Sequence, residues 1–281
     1  MSQTQTQTQN QTETKEIKSN SESINDFDKY VISMDLKVGN IDQLLKSIIS
    51  DNDNEQKALY ELTTIIMEGT KLKDSDWYVI QKKCELYAET NHNASYILGF
   101  MNVNRRTHPF NFDKCKKYFE QGFNEMNSYS FFGMARLYQI HNPQQSSGHI
   151  GYDHIGAQLD NPYCQIFNIY DDSKLSNKDK MKGLKKYIKN GNAIAFWLYN
   201  MMSDDYEKID GYVEYIDQES PILKVYRYFK NKLVKDEEID FSDENIKREY
   251  GNYMLNMPFL TDSFIGNRDM ILKRDGNIKL L

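Results

Sequence analysis

The chain has 281 residues, with 35 Lys and Arg against 41 Asp and Glu for a formal charge of −6, a pI of about 5.5 and a mean hydropathy of −0.74. No apolar run approaches the ~18 residues of a membrane span, which excludes an integral membrane protein, and the acidic balance disfavours a nucleic-acid module, which advertises a basic face. Cys84, Cys115 and Cys164 are the only cysteines and form no Cys-x-x-Cys pair, against both a disulfide framework and a zinc site. The expectation is a cytoplasmic chain with free thiols, no cofactor, no metal, no membrane and no nucleic acid.

In chain order, residues 1–23 alternate Gln and Thr and then turn to Glu, Lys, Ser and Asn. Such a stretch has too little apolar surface to offset its ordering entropy and is predicted to be a disordered tail. Residues 24–54 are predicted to carry N-terminal capping helices, because Ile41, Leu44, Leu45, Ile48 and Ile49 recur at helical spacing. From residue 55 to 257 a repeat dominates. Asn91, Asn127, Asn161 and Asn192 each stand three residues before a small one, and a fifth segment at Glu55 fits without the Asn. The small positions Ala58, Ala94, Ser130, Cys164 and Ala195 are spaced 36, 36, 34 and 31, and a large apolar residue follows each by two.

This spacing predicts capped helices. An Asn side-chain oxygen takes an orphan N–H of the first turn, Pro162 suits the first helical position, and a small residue lets a neighbouring helix approach. Second helices are predicted at Trp77 to Ala88, Asp113 to Phe123 and Lys178 to Lys189, and Ser220-Pro221 opens another. Each unit of ~34 residues is therefore a helical hairpin, close to the tetratricopeptide period. The segment Ile150-Gly151-Tyr152 reads as a loop, making His149, Asp153 and His154 loop residues, with the two histidines five apart and unsuited to share a metal on one helix face. Residues 258–281 form a C-terminal cap or tail, where Asp275-Gly276 between apolar runs signals a small β-hairpin.

The residues resemble the Sel1-like repeat family, relatives of the tetratricopeptide repeat. Ala94-x-x-x-Leu98-Gly99, Asp113-Lys114-Cys115-x-x-Tyr118-Phe119, Ser130-x-x-x-Met134-Ala135-x-x-Tyr138 and Gly191-Asn192-Ala193-x-Ala195 carry the likeness. It covers about half the chain, in an Ala-poor form with only 7 Ala. The resemblance implies an all-α, right-handed solenoid that acts as a protein-interaction scaffold and not as an enzyme.

By analogy with tetratricopeptide stacks, positions one before, two after and six after the small residue face a concave groove. These include Tyr96, Tyr129, Phe132, Arg136, Tyr163, Tyr170 and Trp197, residue types enriched at binding hot spots; the competing role for them is core filling. Arg105-Arg106-Thr107-His108 and Lys185-Lys186 read as solvated surface. The leading expectation is a scaffold holding a protein or peptide in the groove. A structural assembly component that self-associates is the second, and an enzyme with a dispersed site, which no motif supports, is the third.

Overall fold

The structure, a computed structural model, describes residues 41–50, 54–68, 72–104, 106, 109–141, 147–203 and 206–234. The expected tail at 1–23, the first part of the N-terminal cap and the expected hairpin within 258–281 lie outside the described residues. Every regular element among the described residues is helical. These are α1 Ile41–Ile49, α2 Glu55–Glu68, α3 Asp74–Glu85, α4 His92–Val103, α5 Phe112–Glu120, α6 Ser128–His141, α7 Ser147–Gln158, α8 Pro162–Asp171, α9 Asn177–Lys189, α10 Ala193–Met202, α11 Tyr206–Asp210, a 3-10 turn at Val213–Tyr215, and α12 Pro221–Val234.

The predicted caps form. Asn91, Asn127 and Asn192 accept from the backbone N–H three residues on, at 2.8, 3.0 and 2.8 Å, and Asn161 accepts from both Tyr163 and Cys164 at 3.0 Å. Ser176 does the same for α9, and Pro162 and Pro221 take first helical positions. The residue before three of these Asn caps completes the junction. Met126, Asp160 and Gly191 have φ of 51°, 61° and 84°, and the N–H of the following Asn reaches back five residues to the carbonyls of Gly122, Gly156 and Tyr187. That is the six-to-one bond of a Schellman stop. One turn thus ends α7 and α9 and caps the helix that follows each, and the same turn stands between the end of α5 and Asn127.

The small positions also do as expected: Ala58, Ala94, Ser130, Cys164 and Ala195 are all buried. From α4 to α10 each helix packs on its neighbours in sequence, and α2 packs on α4 and α4 on α6. Close approach is achieved by glycine. The Phe119 ring of α5 lies so near Gly133 of α6 that a Cβ there would stand 2.3 Å from it.

α7 corrects the sequence reading, which has a loop around Ile150-Gly151-Tyr152. Three glycines in twelve residues make it a poor helix by propensity, at ~1 kcal/mol each against Ala. Packing overrides that: a Cβ on Gly156 would meet Cys164 Sγ of α8 at 2.4 Å, so the glycine is what lets α7 and α8 touch. Two of the second helices end three residues earlier than expected, at Glu85 and Glu120.

Candidate functional site

Six of the seven expected groove residues are out of solvent: Tyr96, Tyr129, Phe132, Arg136, Tyr163 and Trp197 are each no more than 2% exposed, and Tyr170 is half-buried. Their rings run together across four first helices. Tyr60 of α2 stacks on Tyr163 of α8 with centroids 5.3 Å apart, Tyr163 on Phe132 of α6 at 5.1 Å, and Phe132 meets Phe100 of α4 at 5.4 Å. Tyr96 then bridges Phe100 and Tyr129, both at 5.4 Å.

α2 closes this assembly. Thr63 Oγ1 shares a hydrogen bond of 3.0 Å with the Tyr96 hydroxyl, and Thr64 Oγ1 pairs with that of Tyr163. The Tyr129 hydroxyl donates to the Gln56 carbonyl at 3.4 Å, and Asn192, the cap of α10, donates to the Tyr60 hydroxyl at 2.9 Å. Buried phenols need such partners, and α2 supplies most of them. Burial accordingly pushes the Tyr96 and Tyr163 hydroxyls well above their ordinary range. The expectation of an open groove lined by these side chains is therefore corrected at this point: α2 meets Tyr96, Tyr129 and Tyr163, and Phe132, Arg136 and Trp197 are buried as well.

Arg136 leads to a second assembly. On α6 it pairs with Asp153 of α7, both buried, donates to Gln139 Oε1 at 2.8 Å, and lies 3.8 Å from the Phe167 ring centre. His149 and Asp153 sit four apart on α7 and share its inward face, and His149 Nε2 is 3.8 Å from Asp171 of α8. Burial pushes Asp153 up to about 7, with Asp171 adding to the rise and Arg136 opposing it. Burial, helped by Arg136, lowers His149 to about 4. The Cys164 thiol beside them is pushed well up by burial, away from the thiolate that nucleophilic chemistry needs.

His154 stands apart on the exposed side of α7, within 3.1 Å of Gln158, so the imagined trio of His149, Asp153 and His154 does not assemble. Among the described residues no group of three or more His, Cys, Asp or Glu is placed to hold a metal ion. The sequence signal for this cluster was the i, i+4 spacing of His149 and Asp153, which has meaning only once α7 is known to be a helix.

Arg106 also departs from the solvated role expected of it. Its guanidinium donates to the carbonyls of Ile66 and Met67 and stacks 5.2 Å from the Trp77 ring. It thus closes the C-terminal end of α2, where orphan carbonyls favour a cation. Glu68, at the same end and nearly buried, is pushed up to about 7 by burial, reinforced by Asp217 and opposed by Ser220. α2 is therefore held along its length by Tyr96 of α4, Tyr129 of α6, Tyr163 of α8, Asn192 at the cap of α10 and Arg106 beyond α4.

No family model matches the chain, and neither curated proteins nor solved structures yield a match. No helix among the described residues is long and apolar enough to cross a membrane.

Proposed function

We propose that the chain is a non-catalytic, cytoplasmic scaffold of the Sel1-like kind, a right-handed α-solenoid whose turns close on α2, holding a protein or peptide partner. The observation that supports this reading is the junction repeated at Asn127, Asn161 and Asn192, where one stop-and-cap turn joins successive hairpins. Stacked units of this type present side chains on a rigid, extended surface. The buried ionisable groups fit a structural role better than turnover, because Asp153, His149 and Cys164 are enclosed and a reacting group needs access to substrate. With six of the seven groove positions buried, docking falls to the outer helices and the turns between hairpins.

Panning a random peptide library against the immobilised full chain tests this. A scaffold enriches a recurring motif that binds saturably and with one-to-one stoichiometry. Failure to enrich any motif over a denatured control overturns the reading.

A further inference from the structure

The outer face of α9 carries charge of a single sign. Lys178, Lys182, Lys185, Lys186 and Lys189 lie on one side of the helix, opposite the buried Leu184, Tyr187 and Ile188, and all five are exposed. The one acidic residue of α9, Asp179, is engaged at the cap, 2.6 Å from Ser176 Oγ. We propose that this lysine face is covered by an acidic segment of the same chain, residues 236–244, with Phe241 seated in the cleft at the end of α9.

The stability of α9 does not account for this face. Lys178 with Lys182, Lys182 with Lys186, and Lys185 with Lys189 are like charges four apart, an arrangement that weakens a helix. The helix dipole favours Lys189 at the C-terminal end and disfavours Lys178 at the other. None of the five has a carboxylate within ion-pair reach among the described residues. On other helices such partners are present: Lys82 is 3.1 Å from Glu85, Lys83 2.6 Å from Asp42 and Lys116 3.6 Å from Glu120. On α12, Lys224 is 3.0 Å from Glu219 and Lys230 pairs with Asp210.

The chain itself carries the complement. Residues 236–244 read Asp-Glu-Glu-Ile-Asp-Phe-Ser-Asp-Glu, six carboxylates in nine positions. They lie outside the described residues and begin two positions after Val234, the end of α12. α12 and α9 both pack on α10. Helix axes in contact lie ~8–10 Å apart, which puts α9 about 20 Å or less from α12, and ten extended residues span ~33 Å. Exposed ion pairs are individually weak, but a short tether holds the segment at an effective concentration where several of them act together.

The cleft where α9 meets α10 and α11 supplies the apolar seat, with a volume of about 270 Å³. Tyr199 is buried at its floor, the Tyr212 ring packs edge-on against Tyr199 at 5.2 Å, and Tyr215 stands 39% exposed on the wall. Glu207 and Lys208 line the cleft along with Lys185 and Lys189, so it is of mixed charge and suits a neutral ring on its tyrosines better than an acid. The volume is just below the ~300–1,000 Å³ that encloses a whole small molecule, which matches one side chain. Phe241 follows Asp240 and precedes Asp243 by two, so a ring in the cleft brings carboxylates to Lys185 and Lys189. The contact does not rest on the scaffold reading; it removes α9 from the surfaces open to a partner.

Carbodiimide coupling of the full chain, which joins a lysine to a carboxylate in direct contact, tests this by mass spectrometry. Residues 236–244 should couple to the five α9 lysines at least fivefold more than to Lys57, Lys73 and Lys114, which are equally exposed. The excess should vanish in about 1 M salt, where the Debye length is ~3 Å. Equal yields at the control lysines overturn the proposal. In an equal mixture with an isotope-labelled copy, each coupled pair should carry one isotope; pairs of mixed isotope assign the segment to a second copy and overturn it as well. Glu237→Gln, Glu238→Gln, Asp240→Asn and Phe241→Ala together should raise the acetylation rate of the α9 lysines at least threefold and leave Lys57 and Lys114 unchanged. A synthetic peptide of residues 234–246 should bind that variant at least tenfold tighter than the unaltered chain, whose α9 face is already covered. Unchanged acetylation or equal peptide affinity overturns the proposal. Phe241→Ala alone should shift the amide resonances of Tyr212 and Tyr215; no shift there overturns the aromatic seat.

Discussion

At the scale of single residues, two buried acids govern how this fold responds to pH. Glu68 and Asp153 both titrate near 7 because burial disfavours their charged forms. Their folded pKa values lie above the unfolded ones, so the stability they contribute is fully present at low pH and is lost as pH rises through about 7. His149, lowered to about 4, works the other way between its folded value and the ordinary ~6.5 of histidine. With two acids against one histidine, urea denaturation should show stability falling from pH 5 to pH 8. Glu68→Gln should flatten that slope and raise stability at pH 8 by an amount of order 2 kcal/mol, since each tenfold change in proton affinity is worth ~1.4 kcal/mol. An unchanged slope in the variant would remove Glu68 from the account. Arg136 makes a sharper case. Arg136→Met leaves Asp153 buried without its cation, which costs ~3–5 kcal/mol for a broken buried pair. The loss should be larger at pH 8 than at pH 5, where Asp153 takes up a proton. Arg136→Met with Asp153→Leu should recover most of it, because an apolar pair leaves no charge behind.

At the scale of helices and turns, the sequence is most legible where one residue type does a local job. Asn91, Asn161 and Asn192 announce their helices because a cap needs only its own first turn, and Pro162 and Pro221 do the same. α7 was illegible for the opposite reason: Ile150-Gly151-Tyr152 reads as a loop, and the role of Gly156 shows only once the helix it packs against is known. Gly156→Ala should therefore destabilise by well over the ~1 kcal/mol that Ala returns in helix propensity, since its Cβ would stand 2.4 Å from Cys164 Sγ. Adding Cys164→Ala, which removes the clashing sulfur, should restore part of the loss in thermal unfolding; no rescue would mean the two helices do not meet there. The turns yield a prediction of opposite sign. Met126 holds φ of 51° with its side chain in solvent, a conformation that costs a non-glycine residue ~1 kcal/mol or more. Met126→Gly places glycine where Gly191 already stands in the equivalent turn. It should stabilise by up to ~1 kcal/mol after the larger unfolded-state entropy of glycine is subtracted.

At the scale of the whole molecule, the repeat was readable and its closure was not. The spacing of Ala58, Ala94, Ser130, Cys164 and Ala195 is a property of neighbouring residues. The contacts that bring α2 onto α8 and α10 join residues about a hundred apart or more, such as Thr64 with Tyr163 and Tyr60 with Asn192. They depend on how helices far apart in sequence come to pack, which no local pattern records. The same bulky aromatics that stand in an Ala-poor repeat make the closure possible, because their rings span the space to α2. The result assigns Tyr96, Tyr129, Phe132, Tyr163 and Trp197 to the packed interior. A double-mutant cycle on Tyr60 and Tyr163, each changed to Ala singly and then together, measures that closure by denaturant unfolding. A stacked pair of this kind carries a coupling of ~0.5–1.5 kcal/mol beyond its separate burial. Coupling in that range is the predicted result; strictly additive losses would mean that α2 does not lie across the first helices and that the groove stands open.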